Sequence, residues 1–386
     1  MDWNLIFDVL GSFLVALYLG FRSINLFNIH HEGYINTLAK KLYWLFIFIG
    51  AFSFLGCLHF SNLSDYWLPL IGYLLFSIII CFFWGIVIID IIRFIRRFIF
   101  QRADNKNIVI QGLFIGISFS LFLIGLYCSS QPRVVTYDIN VDKPANVESL
   151  KIVQISDIHL NEITSKKFIQ DMVSHINDLN PDYVFFTGDT LDGKVKPFID
   201  KKLAEDFRQI HSTYGTFIIF GNHEHYGIER DHYNTTQDVI NAFKDGNMKV
   251  LLDDVYYDEQ TGISIIGRDD LSEHRMDLPF LMNFVDEDKP IILLDHQPAD
   301  LIEPENLGID VMFAGHTHGG QIFPMTLVVN EVYQNPWGIY QPKDNKRFTS
   351  IVTCGYGLWG PPIRLMTRAE IVVAELHFKK QIENKD

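Results

Sequence analysis

The chain has 386 residues, a formal net charge of −14 and 32 phenylalanines. Its charge is unevenly spread: residues 1–130 carry eight Lys/Arg and six Asp/Glu, leaving 24 against 40, a formal −16, in residues 131–386. So acidic a surface repels phosphate backbones, and no basic groove with interleaved aromatics occurs, so nucleic acid is not an expected partner.

Four apolar stretches come first, at 5–21, 42–60, 67–92 and 108–128. The last three are long enough for a hydrocarbon core of about 30 Å at a rise of ~1.5 Å per residue. The first is interrupted by Asp8. It resembles a signal peptide in length, but no basic segment precedes it and three more stretches follow. Four spans are expected, or three if 5–21 does not cross. Runs such as 74–89 are apolar on every face, which an ordinary soluble core rarely repeats.

Loop charge predicts orientation. Arg22, Lys40 and Lys41 lie between the first two stretches, and Arg93, Arg96, Arg97, Arg102 and Lys106 between the third and fourth; residues 61–66 contain neither Lys nor Arg. The positive-inside rule puts the two basic loops in the cytoplasm. A multi-pass protein of the cell membrane follows, with both termini and the downstream domain extracytoplasmic. His30-His31-Glu32 falls in a cytoplasmic loop and reads as solvated polar sequence rather than a metal site. Cys57, Cys81 and Cys128 belong to apolar stretches, leaving Cys354 alone in the remainder, so no disulfide is possible within that part.

Residues 131–149 read as a connector with one strand at 134–141. The region 150–378 alternates strands and helices, and 379–386 is a polar tail. Within 150–378, five polar runs each follow a short apolar segment: Asp157-Ile-His159, Gly188-Asp189, Gly221-Asn222-His223-Glu224, Asp295-His296 and Gly315-His316-Thr317-His318. Carboxylates, imidazoles and an amide are thereby expected at the C-terminal ends of strands, where open α/β sheets collect ligands. Helices are expected at 166–179, 204–211 and 236–245, and further strands near 249–252, 263–266, 350–353 and 371–378.

The five runs, in this order, resemble the calcineurin-like metallophosphoesterase superfamily. Gly315-His316-Thr317-His318-Gly319-Gly320-Gln321-Ile322 and the late Gly355 and Pro362-Ile363-Arg364 are similar to its membrane-associated YkuE/YaeI-like branch. The resemblance implies a four-layer αββα sandwich and two divalent metal ions. Asp189 would bridge the ions; Asp157, His159 and His318 would complete one shell, and Asn222, His296 and His316 the other. His223 would stand near the leaving-group oxygen as general acid or electrostatic stabiliser, with Glu224 bonded to its imidazole. Oxygen and nitrogen ligands without thiolate suit Mn, Fe, Zn or Co.

The chemistry requires such a set. A phosphate ester resists attack because its anionic oxygens repel nucleophiles. Two divalent ions about 3.5–4 Å apart neutralise those oxygens and lower the pKa of a water between them. In extended chain, residues i and i+2 point the same way, so Asp157 and His159 are expected to reach one metal. Asp192 and Asp269-Asp270 read as turn acids, and His225, His232 and His274 as solvated loop residues. For Arg364, a structural ion pair and a contact with substrate phosphate remain equally open.

The resulting expectation is a membrane-anchored phosphoesterase that cleaves a phosphodiester or pyrophosphate by metal-activated hydroxide. A lipid head group is the expected substrate, because spans concentrate the site beside lipid. The alternatives are a phosphodiesterase for soluble extracytoplasmic substrates, or a sensor or transporter whose phosphoesterase-like domain only binds. A branch relative cleaves UDP-diacylglucosamine, which would become the model substrate class if the domain were cytoplasmic.

Overall fold

The structure is a computed structural model and describes residues 3–27, 34–60, 66–99, 108–230, 235–345 and 347–379. The chain divides into two units, Met1–Tyr127 with Gly360–Leu365, and Cys128–Trp359 with Met366–Asp386.

The first unit contains helices α1 (Trp3–Phe27), α2 (Tyr34–Phe60), α3 (Trp67–Phe98) and all but the last three residues of α4 (Ile108–Ser130). All four are long and apolar enough to cross a membrane, with the qualifying part of α1 at Val9–Phe27, beyond Asp8. Glycines let the helices approach closely, as is common between membrane helices. A Cβ on Gly20 would strike Trp44, one on Gly50 would strike Ile79, and one on Gly85 would strike Ser118. Asp90, an acid within α3, accepts a hydrogen bond from the Tyr18 hydroxyl at 2.8 Å and pairs with the Arg22 guanidinium. An acid at such a position needs this kind of partner. His30-His31-Glu32 and His232 lie outside the described residues.

The second unit runs β1 (Arg133–Pro144), β2 (Ser149–Ile155), α5 (Lys166–Asp178), β3 (Tyr183–Thr187), α6 (Lys196–Asp200), α7 (Ala204–Phe207), β4 (Gly215–Ile219), α8 (Asn222–Arg230), α9 (Thr236–Asp245) and β5 (Lys249–Val250). It continues with β6 (Asp254–Asp258), β7 (Ile263–Gly267), α10 (Leu278–Leu281), β8 (Ile291–Leu294), α11 (Ile302–Asn306), β9 (Val311–Ala314), α12 (Met325–Val332), β10 (Gly338–Tyr340), β11 (Thr349–Val352) and β12 (Glu370–Lys379).

The strands form two six-stranded sheets, ordered β1-β12-β2-β3-β4-β5 and β10-β11-β9-β8-β7-β6. Between them lies a core drawn from both, including Tyr183, Phe185 and Phe217 from one sheet and Ile265, Ile292 and Phe313 from the other. Helices cover the outer faces: α5, α7 and α9 pack on the first sheet, and α10 on the second. The result is the four-layer sandwich.

Local sequence explains the covering helices. In α5, Ile169, Met172, Val173 and Ile176 recur at helical spacing and are buried, and the Ser165 side chain caps the first turn by accepting from the Phe168 N–H. In α9, Thr235 and Asp238 form a reciprocal capping box. The helix expected at 204–211 is shorter, ending at Phe207. The expected connector strand is longer than 134–141 and forms the edge of the first sheet, paired in parallel with β12 from Arg133↔Glu370 onward.

Candidate metal centre and active site

The sheets deliver the polar runs to one place because their central strands are parallel and end together. Asp157 and His159 follow β2, Asp189 follows β3, Asn222 and His223 open α8 after β4, His296 follows β8, and His316 and His318 follow β9. Five of these residues occupy left-handed backbone: Asp157 (φ 53°), His159 (49°), Asp189 (51°), His316 (69°) and His318 (51°). The extended i, i+2 geometry expected for Asp157 and His159 is therefore corrected; the chain has already turned. Each such residue costs on the order of 1–3 kcal/mol and persists only where surrounding structure enforces it. Here the loops are laced together. The N–H groups of Asp157, His159 and Leu160 donate to the carbonyls of Gly188, Asp189 and Thr190 at 3.1, 2.9 and 2.9 Å.

The side chains converge as two sets. In one, His159 Nε2 and His318 Nε2 are 2.9 Å apart, and His318 Nε2 is 3.5 Å from Asp157 Oδ1. In the other, His296 Nε2 lies 3.2 Å from Asp189 Oδ2, and His316 Nδ1 lies 3.1 Å from Asn222 Oδ1. Asp189 Oδ2 is also 3.7 Å from His159 Nε2, so this carboxylate stands between the sets. Asp157, His159 and His318, and likewise Asp189, His296 and His316, offer ligand atoms all within 4.8 Å of one another.

These residues fit a metal. His296 Nδ1 bonds the Thr187 carbonyl at 2.8 Å, which places the ring proton there. Its Nε2 is buried without a hydrogen-bond partner and faces a carboxylate oxygen. Two acceptors so close need a cation or a proton between them, and a backbone bond on the far nitrogen is how ligating histidines are commonly oriented. Burial alone would lower the His296 pKa, but Asp189 and Asp157 raise it far above the usual range. Burial, aided by His296, lowers His316 to about 4, leaving its imidazole in the neutral form that ligates metals.

His223 lies beside these residues, its ring centroid 4.5 Å from that of His159. The expected bond from Glu224 to its imidazole is absent. His223 Nδ1 instead lies 2.9 Å from Asp192 Oδ1. Burial would lower the His223 pKa, but the Asp189 and Asp192 carboxylates outweigh it and raise the value to about 9. Asp192 is held well below the usual carboxylate range; burial opposes this, while His159 and His223 together prevail. Asp192, which in sequence resembles an ordinary turn acid, is thereby a partner of the site. Its position three residues after Asp189, in the same tight loop, is the signal that marks it.

Glu224 has another task. Its buried carboxylate accepts from the N–H groups of Gly221 at 2.7 Å, Leu191 at 2.8 Å and Asp189 at 3.0 Å. It thus ties the loop after β3 to the start of α8, fixing Asp189 against Asn222. Burial and the neighbouring Asp189 charge push Glu224 up to about 7, against the pull of those backbone donors.

The remaining candidates are structural or peripheral. Asp295 is buried between Arg268 and Arg275, at 3.3 and 2.9 Å. His225, expected in solvent, is nearly buried and bonds Asp269 at 2.6 Å, while His274 is exposed. Asp270 accepts from Ser272 and Gln297. Arg364 is fully buried in the helical unit, where its main-chain N–H donates to the Gly125 carbonyl at 3.1 Å.

Residues 150–320 match the calcineurin-like phosphoesterase family. The chain is 30% identical to an uncharacterised metallophosphoesterase of Campylobacter jejuni, over 96% of this chain and 98% of that protein. It is 28% identical to a transmembrane protein with metallophosphoesterase domain from Danio rerio, over 85% and 78% of the two chains. It is 27% identical to the uncharacterised metallophosphoesterase YkuE of Bacillus subtilis, over 60% and 81%. The chain belongs to the calcineurin-like metallophosphoesterases. It is a phosphoric ester hydrolase whose α/β domain follows four apolar helices, a membrane protein of a metal-binding family.

Proposed function

We propose that this hydrolase cleaves a phosphodiester or pyrophosphate bond in a lipid head group, using a dinuclear centre at the outer face of the cell membrane. The observation that carries the reading is the position of Asp189 between two sets of ligands, with the His223–Asp192 pair at their edge. Asp157, His159 and His318 would hold one divalent ion, Asn222, His296 and His316 the other, with Asp189 shared. When bound, such ions neutralise phosphoryl oxygens and make water a competent nucleophile at neutral pH. Mn, Fe, Zn or Co suits the donors.

The chain's own residues then divide the work. Asp192 holds the His223 ring by Nδ1 and keeps it protonated, leaving Nε2–H to meet the leaving-group oxygen. Glu224 fixes the backbone on which Asp189 and Asn222 sit. The apolar helices favour a lipid-borne substrate by tethering the domain to the membrane, and the basic residues at 22–41 and 93–106, against none at 61–66, favour an extracytoplasmic domain.

The test is a turnover screen of the purified full-length chain in lipid nanodiscs, with the four metals varied. Metal-dependent hydrolysis of bis(4-nitrophenyl) phosphate and release of a phosphorylated head group from extracted membrane lipids is expected. Turnover of the soluble diester with no lipid consumed would leave a phosphodiesterase for soluble substrates. No turnover with any metal would leave a binding domain.

A further inference from the structure

Helix α12 is turned inside out. A short helix on a globular domain normally points its apolar stripe at the core. This one reads Met-Thr-Leu-Val-Val-Asn-Glu-Val, and the side chain it buries is Thr326. Met325, Val328 and Val332, at i, i+3 and i+7, are 50%, 46% and 66% exposed, and Leu327 beside them is 56% exposed.

The apolar surface leads to the catalytic loops. Gln321, just ahead of the helix, donates to the Trp359 carbonyl and accepts from the Trp359 N–H, both at 3.1 Å. The half-exposed Trp359 ring lies 6.3 Å from that of His223. Ile322 forms a bridge with Met366, which is 77% exposed and held in left-handed backbone at φ 81°. Tyr333, directly after the helix, brings its ring within 6.1 Å of His316. Monomeric soluble domains seldom leave contiguous apolar surface of this kind uncovered.

The chain itself indicates what covers it. Helix α4 ends at Ser130 and β1 begins at Arg133, so the α/β unit follows a membrane-length helix with two residues between. That unit stays within reach of lipid. Tryptophan with Met, Leu and Val is also the composition that settles in the head-group layer. The net acidic charge of residues 131–386 does not favour a polybasic mode of attachment.

We propose that α12, Trp359 and Met366 form an apolar patch that enters the lipid head-group layer and presents lipid-borne phosphoesters to the adjoining metal loops. The second half of this statement rests on the lipid head-group reading above; the first half does not. The contact is apolar, so added salt should leave it in place.

Two measurements on the full-length chain in phosphatidylcholine/phosphatidylglycerol nanodiscs test it. In the first, Leu327→Cys carries an environment-sensitive fluorophore, with the signal of the parent chain, labelled in parallel, subtracted. Quenching by lipids spin-labelled near the head group, unchanged by 0.5 M salt, is expected. An unquenched label overturns the patch. In the second, Leu327→Gln/Val328→Gln is expected to lose about tenfold turnover of extracted lipids while keeping bis(4-nitrophenyl) phosphate turnover within twofold, the two side chains being exposed. Equal losses on both substrates, or none, overturn the delivery role. A quenched Leu327→Cys label, together with a parent chain that hydrolyses only the soluble diester, leaves the patch standing and defeats the lipid-substrate reading.

Discussion

His223 and Asp192 form a unit whose two members have different consequences when removed. His223 and Asp192 converge with His159 beside the two sets that meet at Asp189, and Asp192 Oδ1 lies 3.5 Å from His159 Nδ1. His223→Ala should therefore retain metal near the parent's content, while Asp192→Asn should also loosen the His159 side of the centre. His223→Ala removes the proposed proton donor, and its rate should fall by the ~10²–10⁴ associated with general acid catalysis. Asp192→Asn keeps the ring but loses the charge that orients and protonates it, so a loss of about 10–100-fold is expected, as for other outer partners of functional histidines. Both losses should shrink for substrates with nitrophenolate leaving groups, which need little protonation. Rates measured across leaving groups of graded pKa, with metal analysis on the same samples, check this. A loss independent of leaving group would assign His223 to electrostatic stabilisation instead.

At the scale of elements, the centre depends on strand-end loops too tight for ordinary side chains. A Cβ on Gly221 would collide with the Asp189 carboxylate and its backbone nitrogen, and one on Gly315 would collide with Ser156 and Asp157. Gly221→Ala should therefore displace Asp189 and weaken metal binding at least tenfold while the sandwich stays folded. Metal titration followed by calorimetry, with the circular dichroism spectrum as the control for folding, reads this directly. Unchanged affinity would mean that the loop has more freedom than its contacts indicate.

The same loops explain what the sequence disclosed. Polar runs after β-branched and aromatic strands mark the candidate ligand positions, because a strand such as Tyr183–Thr187 is buried along its whole length and its end is abrupt. Roles set by loop conformation were less legible. Asp157 and His159 meet through left-handed backbone rather than the extended spacing their sequence suggests. Glu224 was assigned to the nearest imidazole, whereas three backbone donors that no sequence pattern reveals compete for it. Asp192 looked like any turn acid until β3 and α8 brought it to His223. Helix α12 is not legible in sequence because its apolar residues suit a buried segment as well as a helix, and its exposed face has no counterpart in core patterning.

For the whole molecule, orientation is the prediction most open to test. It rests on eight Lys/Arg at the helix ends and connections spanning 22–41 and 93–106 against none in residues 61–66, a bias that usually decides topology when connections are short. Reporter fusions after Ser130 and at the C-terminus should give the extracytoplasmic signal, and a fusion between Arg97 and Lys106 the cytoplasmic one. A cysteine introduced in the last four residues should react with an impermeant reagent on intact cells or spheroplasts. Labelling only after lysis would place the hydrolase in the cytoplasm and redirect the substrate search to inner-leaflet nucleotide lipids.

The central claim is that one carboxylate, Asp189, is shared by two metal ions whose joint presence makes the site a phosphoesterase. Asp189→Asn keeps the size of the side chain and removes the charge that a shared ligand requires. Metal content and bis(4-nitrophenyl) phosphate turnover, measured together on the full-length parent and on this variant, test the claim most directly. The expected result is two ions per chain in the parent, and in the variant at least one ion lost with turnover nearly abolished. Two ions retained and near-normal turnover in Asp189→Asn would contradict it.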